Sequence, residues 1–235
     1  MPVQPKALFF DVFGTLVDWR GGVAREVRQL LGDTLDAAAF ADAWRAQYQP
    51  AMQEVRSGQI PFSKLDVLHR RNLEVVLKDL GIGDLDEATR VHLNLAWHRL
   101  DAWPDVSPGL KRLRERFRIA PCSNGNVSLM VDLARRNALP WDAILGAEFA
   151  RDYKPKAVVY QSAATAFDCD PGEVLMVAAH SDDLAAAASA GLRTAHIARP
   201  DEKGPGRGET GPRVPVDVAA RDLLELADRL GASID

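Results

Sequence analysis

Ala7-Leu8-Phe9-Phe10-Asp11-Val12-Phe13-Gly14-Thr15-Leu16 is the stretch from which the fold can be read. Four apolar residues in a row, with no polar residue between them, describe a short, fully buried strand. The run ends in a carboxylate, and a Gly-Thr turn follows at once. In an open parallel sheet, groups at the carboxyl ends of strands face the ligand crevice, so Asp11 stands where chemistry is done. An aspartate after a strand can also just start a turn. Later segments that supply partners for the carboxylate decide between the two.

Beyond Asp11 the pattern turns helical and stays so. Val23, Val27, Leu30 and Leu31 recur at helical spacing after Gly21-Gly22. A second helix is expected from Asp36 to Ser57-Gly58, with Phe40, Trp44, Tyr48, Met52 and Val55 as its stripe. A third opens at Pro61-Phe62-Ser63, places Leu65, Leu68, Leu73, Val76, Leu77 and Leu80 on one face, and closes at Gly81. A fourth runs from Asp86 to Arg99. From Trp103 strands and helices alternate again. Ser107-Pro108 reads as a cap followed by proline at the first helical position. Strands are expected at Phe117–Cys122, Ala143–Leu145, Val174–Ala178 and Arg193–Ala198, with helices at Val127–Asn137, after Lys154-Pro155-Lys156 and from Asp182. The Gly/Pro/charge run from Arg199 to Gly208 reads as a loop, mobile or ordered by contact with the site. Val216-Asp217-Val218 and a helix through Leu223, Leu226 and Leu230 end the chain, and no internal repeat is visible. The expected fold is α/β: a doubly wound parallel sheet, Rossmann-like, formed by residues 1–16 and 105–235, with an all-helical cap of residues 17–104 inserted after its first strand.

Composition narrows the function. The 235 residues are 47% hydrophobic and 26% charged, as in an ordinary globular protein. A net charge of −4 gives no case for nucleic acid or an anionic membrane. The two cysteines, Cys122 and Cys169, have no metal-ligand spacing and suit a reducing compartment. No basic start leads into an apolar run, and nothing reaches the ~18 apolar residues of a membrane span. A cytoplasmic, soluble protein is expected.

Asp11-x-Phe13-Gly14-Thr15, Ser123-Asn124, Lys154-Pro155 and Asp183 within Ala179-His180-Ser181-Asp182-Asp183-Leu184 resemble, in order and spacing, the four motifs of the haloacid dehalogenase superfamily. The resemblance spans almost the whole chain. Most members are Mg²⁺-dependent phosphatases with D-x-D-G-T at the first motif, whose second aspartate protonates the leaving oxygen. Phe13 stands there in this chain and cannot donate a proton, a loss worth ~10² to 10⁴ in rate. The phosphatase G-D-x-x-x-D pattern, anchored on Asp183, puts its metal-holding aspartate at Ala179. A hard divalent cation wants several oxygen ligands, and one is lost. Taking Asp182 and Asp183 as a metal pair would place them too far beyond the strand end.

A carboxylate nucleophile without general acid or metal suits a leaving group that departs unaided as an anion, as halide does. The chain resembles the (S)-2-haloacid dehalogenase branch, which shares Asp-x-Tyr/Phe-Gly-Thr. That resemblance implies displacement at the substrate α-carbon by Asp11, an ester intermediate, and hydrolysis to a 2-hydroxy acid with no metal or cofactor. Asp11 is already ionised at neutral pH, while the second step needs a base, for which Asp183 is the candidate. Lys154 matches the third motif and would keep Asp11 and Asp183 ionised together.

Trp44-Arg45-x-x-Tyr48 resembles the cap-helix arginine that receives the halide; the bland alternative for Arg45 is a solvated surface residue. Asn124 is the second halide donor by the same resemblance. Ser123 and Thr15 match positions that bond substrate or nucleophile, though either could satisfy turn backbone instead. Tyr160 matches a site tyrosine but also fits a core stripe. Well-known members carry Ser-x-Asn where this chain has Ala178 and His180. His180 could bond the substrate carboxylate or water, narrow the pocket for a small halogen such as fluoride, or brace the site from behind. His69, His92, His98 and His196 are read as structural, without identified partners. The expected partners are a small halocarboxylate and water, and the apolar cap faces suggest a homodimer. The rival readings are a diverged phosphatase of a small phosphorylated metabolite and an idle anion-binding member.

Overall fold

The four apolar residues before Asp11 form strand β1 (Ala7–Phe10), and all four are fully buried. Leu8 and Phe10 pack into one apolar cluster and Ala7 and Phe9 into another, so both faces of the strand are covered. The computed structural model describes residues 4–232. Among these, β1 lies inside a six-stranded sheet with β2 (Arg118–Ser123), β3 (Leu145–Gly146), β4 (Val174–Ala178), β5 (Arg193–Ile197) and β6 (Val218–Ala220). The order is β3-β2-β1-β4-β5-β6 and every pairing is parallel. Phe10 is in register with Pro121 on one side and Val177 on the other. The chain winds outward to β3, then returns to pair β4 against β1. That reversal beside β1 is the switch point at which doubly wound sheets open a ligand crevice.

Between β1 and the helix α6 (Val106–Arg114) come α1 (Trp19–Leu31), α2 (Ala37–Ala46), α3 (Tyr48–Arg56), α4 (Leu65–Asp79), α5 (Glu87–Asn94) and a 3₁₀ turn at Leu95–Arg99. The two crossing connections run side by side: Asp18 N donates to Asp101 O at 2.9 Å, and Trp103 N to Leu16 O at 2.9 Å. The single helix expected from Asp36 to Ser57 is two helices that meet at Gln47. Pro50 explains the break. In an unbroken helix its ring would clash one turn back and remove a hydrogen bond; in α3 it falls in the first turn, where no donor is needed. The expected stripe survives the break, because Phe40, Trp44, Tyr48, Met52 and Val55 are all buried. The third helix begins after Lys64 rather than at Pro61, and Leu80 is exposed at its end instead of sharing the buried face.

The core helices are α6, α7 (Val127–Asn137), α8 (Ala147–Ala150), α9 (Ala157–Ala166), α10 (Ser181–Ser189) and α11 (Leu223–Arg229). The cap expected at Ser107 lies two residues earlier, at Asp105. The Asp105 carboxylate does not cap α6; it takes both arms of the Arg199 guanidinium, at 2.9 and 2.8 Å, and the Leu223 N–H at 2.9 Å. Burial alone would lift this carboxyl, and Arg199 holds it below the usual range. Arg199 also donates from Nε to Thr15 O at 2.8 Å, so the loop after β5 is stitched to the turn after β1. The segment from Arg199 to Gly208 is ordered by contact.

Arg199→Met should leave Asp105 half of a broken buried pair. A loss of about 3–5 kcal/mol is expected, read as a lower urea midpoint at unchanged slope.

Candidate active site

The turn after β1 is built around Gly14. Its φ of +86° suits glycine, and a Cβ there would lie 2.2 Å from Glu202 Oε1. The turn lets Thr15 reach back, where its hydroxyl donates to Asp11 Oδ2 at 2.8 Å and accepts from Ala179 N at 2.9 Å. Thr15 therefore does both things open to it: it bonds the candidate nucleophile and satisfies backbone at the end of β4.

Lys154 arrives from the segment before α9. Its ammonium donates to Asp11 Oδ1 at 2.9 Å and to Asp183 Oδ2 at 2.6 Å. Its backbone N donates to Asn124 Oδ1 at 2.9 Å, which turns the Asn124 amide N–H groups the other way. Tyr160 donates its hydroxyl to Asp183 Oδ1 at 2.6 Å, so this tyrosine belongs to the site as well as to the buried stripe of α9. Burial alone would raise the Asp11 carboxyl, yet Lys154 and His180 hold it far below the usual carboxylate range. Burial would lower the Lys154 ammonium, but Asp11 and Asp183 raise it. Tyr160 is pushed up by burial and by Asp183.

His180, at the start of α10, sits between two carboxylates. Nδ1 is 3.2 Å from Asp11 Oδ2 and Nε2 is 3.1 Å from Glu202 Oε1. Burial opposes its charge, but the bonds to Asp11 and Glu202 push it up to about 10. Glu202 is buried and accepts a further bond at 2.9 Å from Trp19 Nε1. His180 and Trp19 keep it below the usual range against the effect of burial.

Arg45 stands on the helical side. Its Cζ is 3.9 Å from the centre of the Tyr48 ring, 5.3 Å from Trp19 and 5.8 Å from Phe13. Its Nη1 is buried and has no hydrogen-bond partner. A cation over aromatic faces is held in place without its donors being used.

These groups line one cavity of about 940 Å³. Asp11, Arg45, Asn124, Lys154, Tyr160, His180 and Asp183 are all on its wall; Thr15 and Ser123 are not. Ser123 is fully buried, and its hydroxyl accepts from Gly125 N at 3.1 Å, the turn-satisfying alternative. Trp19, Tyr48 and Glu202 line the cavity too, and sequence reading did not single them out for it. Glu202 had one usable signal: it follows the end of β5, as Asp11 follows β1. The rim carries Arg56, Lys156, Lys203 and Arg207 against Asp42 and Asp182, a basic balance that suits an anionic substrate.

The other histidines lie off this wall, and both ring nitrogens of His69 and Nε2 of His196 are buried without a hydrogen-bond partner. His98 is 2.7 Å from Asp132 and 3.1 Å from Asp66, and His196 is 3.6 Å from Glu209. His92 is 3.9 Å from Glu26, and His69 is stacked on Trp97 at 4.3 Å. Among the described residues no helix is long and apolar enough to cross a membrane.

Residues 5–191 match the model of the haloacid dehalogenase-like hydrolases. The crystal structure of a defluorinating L-2-haloacid dehalogenase is 42% identical, with a TM-score of 0.94, over 98% of this chain and 100% of that one. A second L-2-haloacid dehalogenase structure is 45% identical, with a TM-score of 0.92, over 97% and 100%. The (S)-2-haloacid dehalogenase 4A of Burkholderia cepacia is 27% identical over 197 residues, 83% of each chain. By that match and those likenesses the chain belongs to the haloacid dehalogenase-like hydrolases, in their (S)-2-haloacid dehalogenase branch.

Proposed function

We propose that this protein hydrolyses short 2-haloalkanoic acids, haloacetates and (S)-2-haloacids, to 2-hydroxy acids through an ester on Asp11, without a metal. The reading rests chiefly on Arg45: a buried guanidinium nitrogen with no partner, boxed by aromatic rings, in the cavity that holds the ionised Asp11.

A carboxylate oxygen of Asp11 attacks the α-carbon and the carbon–halogen bond breaks, the halide taking the bonding pair. Asp11 is ionised before substrate arrives, so this step consumes no proton. Arg45 receives the departing anion, with the Asn124 amide beside it. Arginine suits the task because it stays charged and its donors are fixed in a plane. Phe13 presents only an aromatic ring at the position where related phosphatases carry an acid, and halide needs none. The Ala179 side chain is a methyl, and the space between Asp11 and Asp183 already holds the Lys154 ammonium. The basic rim draws in the substrate carboxylate. Residues 17–104 act as the cap that closes over the crevice, and the protein works in the cytoplasm.

The test is halide release from chloro-, bromo- and fluoroacetate and from both enantiomers of 2-chloropropionate. Fluoroacetate is included because a solved relative is named as defluorinating. The (S) enantiomer should be consumed, with inversion, at a rate that EDTA leaves unchanged. Magnesium-dependent release of phosphate from phosphorylated metabolites, or no turnover of either class, overturns the reading. Asp11→Asn should abolish turnover while circular dichroism shows an intact fold. Arg45→Lys, which keeps the charge but loses the planar fork, should cost about 10²-fold in kcat.

A further inference from the structure

Asp183 is poorly placed to take a proton from water. Both of its oxygens already accept hydrogen bonds at 2.6 Å, one from the Lys154 ammonium and one from the Tyr160 hydroxyl. It is a brace for those two side chains. The group that faces Asp11 from another side is the His180 imidazole, through Nδ1. Its far nitrogen is held by Glu202, a carboxylate that is itself fixed by the Trp19 indole and fits only because residue 14 has no side chain.

Resting on the reaction proposed above, we infer that His180 is the base that activates water against the Asp11 ester, with Glu202 as the positioning residue that orients its ring. In the resting enzyme the ring carries both protons and donates to Asp11 and to Glu202. Alkylation makes Asp11 a neutral ester and removes one of the two charges that hold the second proton. The Nδ1 proton then leaves to solvent through the cavity, while Nε2–H stays on Glu202. A water admitted between Nδ1 and the ester gives one proton to Nδ1, and its oxygen bonds to the Asp11 carboxyl carbon. The bond from that carbon to the alkylated oxygen breaks, and this oxygen takes the remaining water proton to become the product hydroxyl. The Asp11 carboxylate and the His180 imidazolium are restored together, facing each other as before. The net proton of the overall hydrolysis is the one lost when the ester forms.

The charged groups against the ring are Asp11 from the end of β1 and Glu202 from the loop after β5, with His196 of β5 behind. Arg45, Lys154, Asp182, Asp183, Lys203 and Arg207 line the same cavity, and Asp11 and Glu202 are the charged groups that hold the ring's proton. In the ester state catalysis needs the neutral ring, so the rate of ester hydrolysis rises with pH through its titration. Glu202→Gln weakens the ring's hold on a proton, which moves that limb to lower pH and lowers the plateau.

Rapid-quench halide release and intact-protein mass spectrometry, with chloroacetate as the probe, separate the two steps. His180→Gln should give a full burst of one halide per site, accumulate the ester, and fall about 10²-fold or more in steady turnover. His180→Ala should do the same and regain turnover with added imidazole. Glu202→Gln should keep the burst and shift the pH profile of ester breakdown as stated. Turnover by His180→Gln without ester accumulation overturns the inference, and so does loss of the burst together with turnover, which would place His180 in the first step. Wild-type protein that releases no halide overturns the reaction itself, a failure visible before any variant is made.

Discussion

One ammonium between two buried carboxylates is the contact on which the rest depends. Asp11 and Asp183 are both nearly removed from solvent, and two bare like charges so placed would repel each other. Lys154 binds one oxygen of each and makes the pair compatible. The three residues come from three segments that are far apart in the chain. Only the parallel pairing of β2, β1 and β4, with the ends of the strands level beside the reversal in strand order, puts them within one hydrogen bond of each other. The fold is thus an electrostatic device as much as a hydrophobic one. The apolar faces of β1 supply burial, and burial gives the ammonium its grip on the carboxylates.

The helical segment contributes what the sheet cannot. Phe13 packs edge to face on His69 and Trp97, Trp44 packs edge to face on Trp97, His69 and Trp97 stack, and Trp44 donates its indole N–H to His69 O at 2.9 Å. This aromatic block fixes α2 and, through it, Arg45. Burial keeps the His69 ring neutral, lowered to about 3, so it packs as one more aromatic face. The segment is tied to the core on the same side: Arg56 donates to Lys154 O at 2.7 Å and Tyr153 to Ser63 O at 2.6 Å. Lys154 is therefore both the cation paired with Asp11 and an anchor for α3, the helix that follows Arg45.

Much of this was legible in the residues. β1 could be read because it is buried on both faces and so lacks alternation. Asp11 could be found because it follows a buried strand of a parallel sheet, and Lys154 and Asp183 because they match the third and fourth motifs of the haloacid dehalogenase superfamily. Arg45 could be placed at the edge of a stripe, but its want of a partner is a property of packing. The break at Gln47 was hidden because Pro50 interrupts the backbone without disturbing the apolar stripe. Glu202 escaped notice because the Arg199–Gly208 run has the composition of a mobile loop. What orders it is a guanidinium–carboxylate fork from Arg199 to Asp105.

The sequence by itself determined the α/β class, the parallel direction of the sheet, the carboxylate that follows β1 and the want of an acid at Phe13, because these follow from local periodicity and from what one side chain can or cannot donate. Tertiary structure decided which groups face the His180 ring, why Thr15 serves two strand ends, and that Ser123 turns inward. Such pairings join residues as far apart as Trp19 and Glu202, separated by 183 positions. No periodicity records them; they exist only where the folded backbone brings two polar atoms within reach and shuts out the water that would otherwise satisfy each.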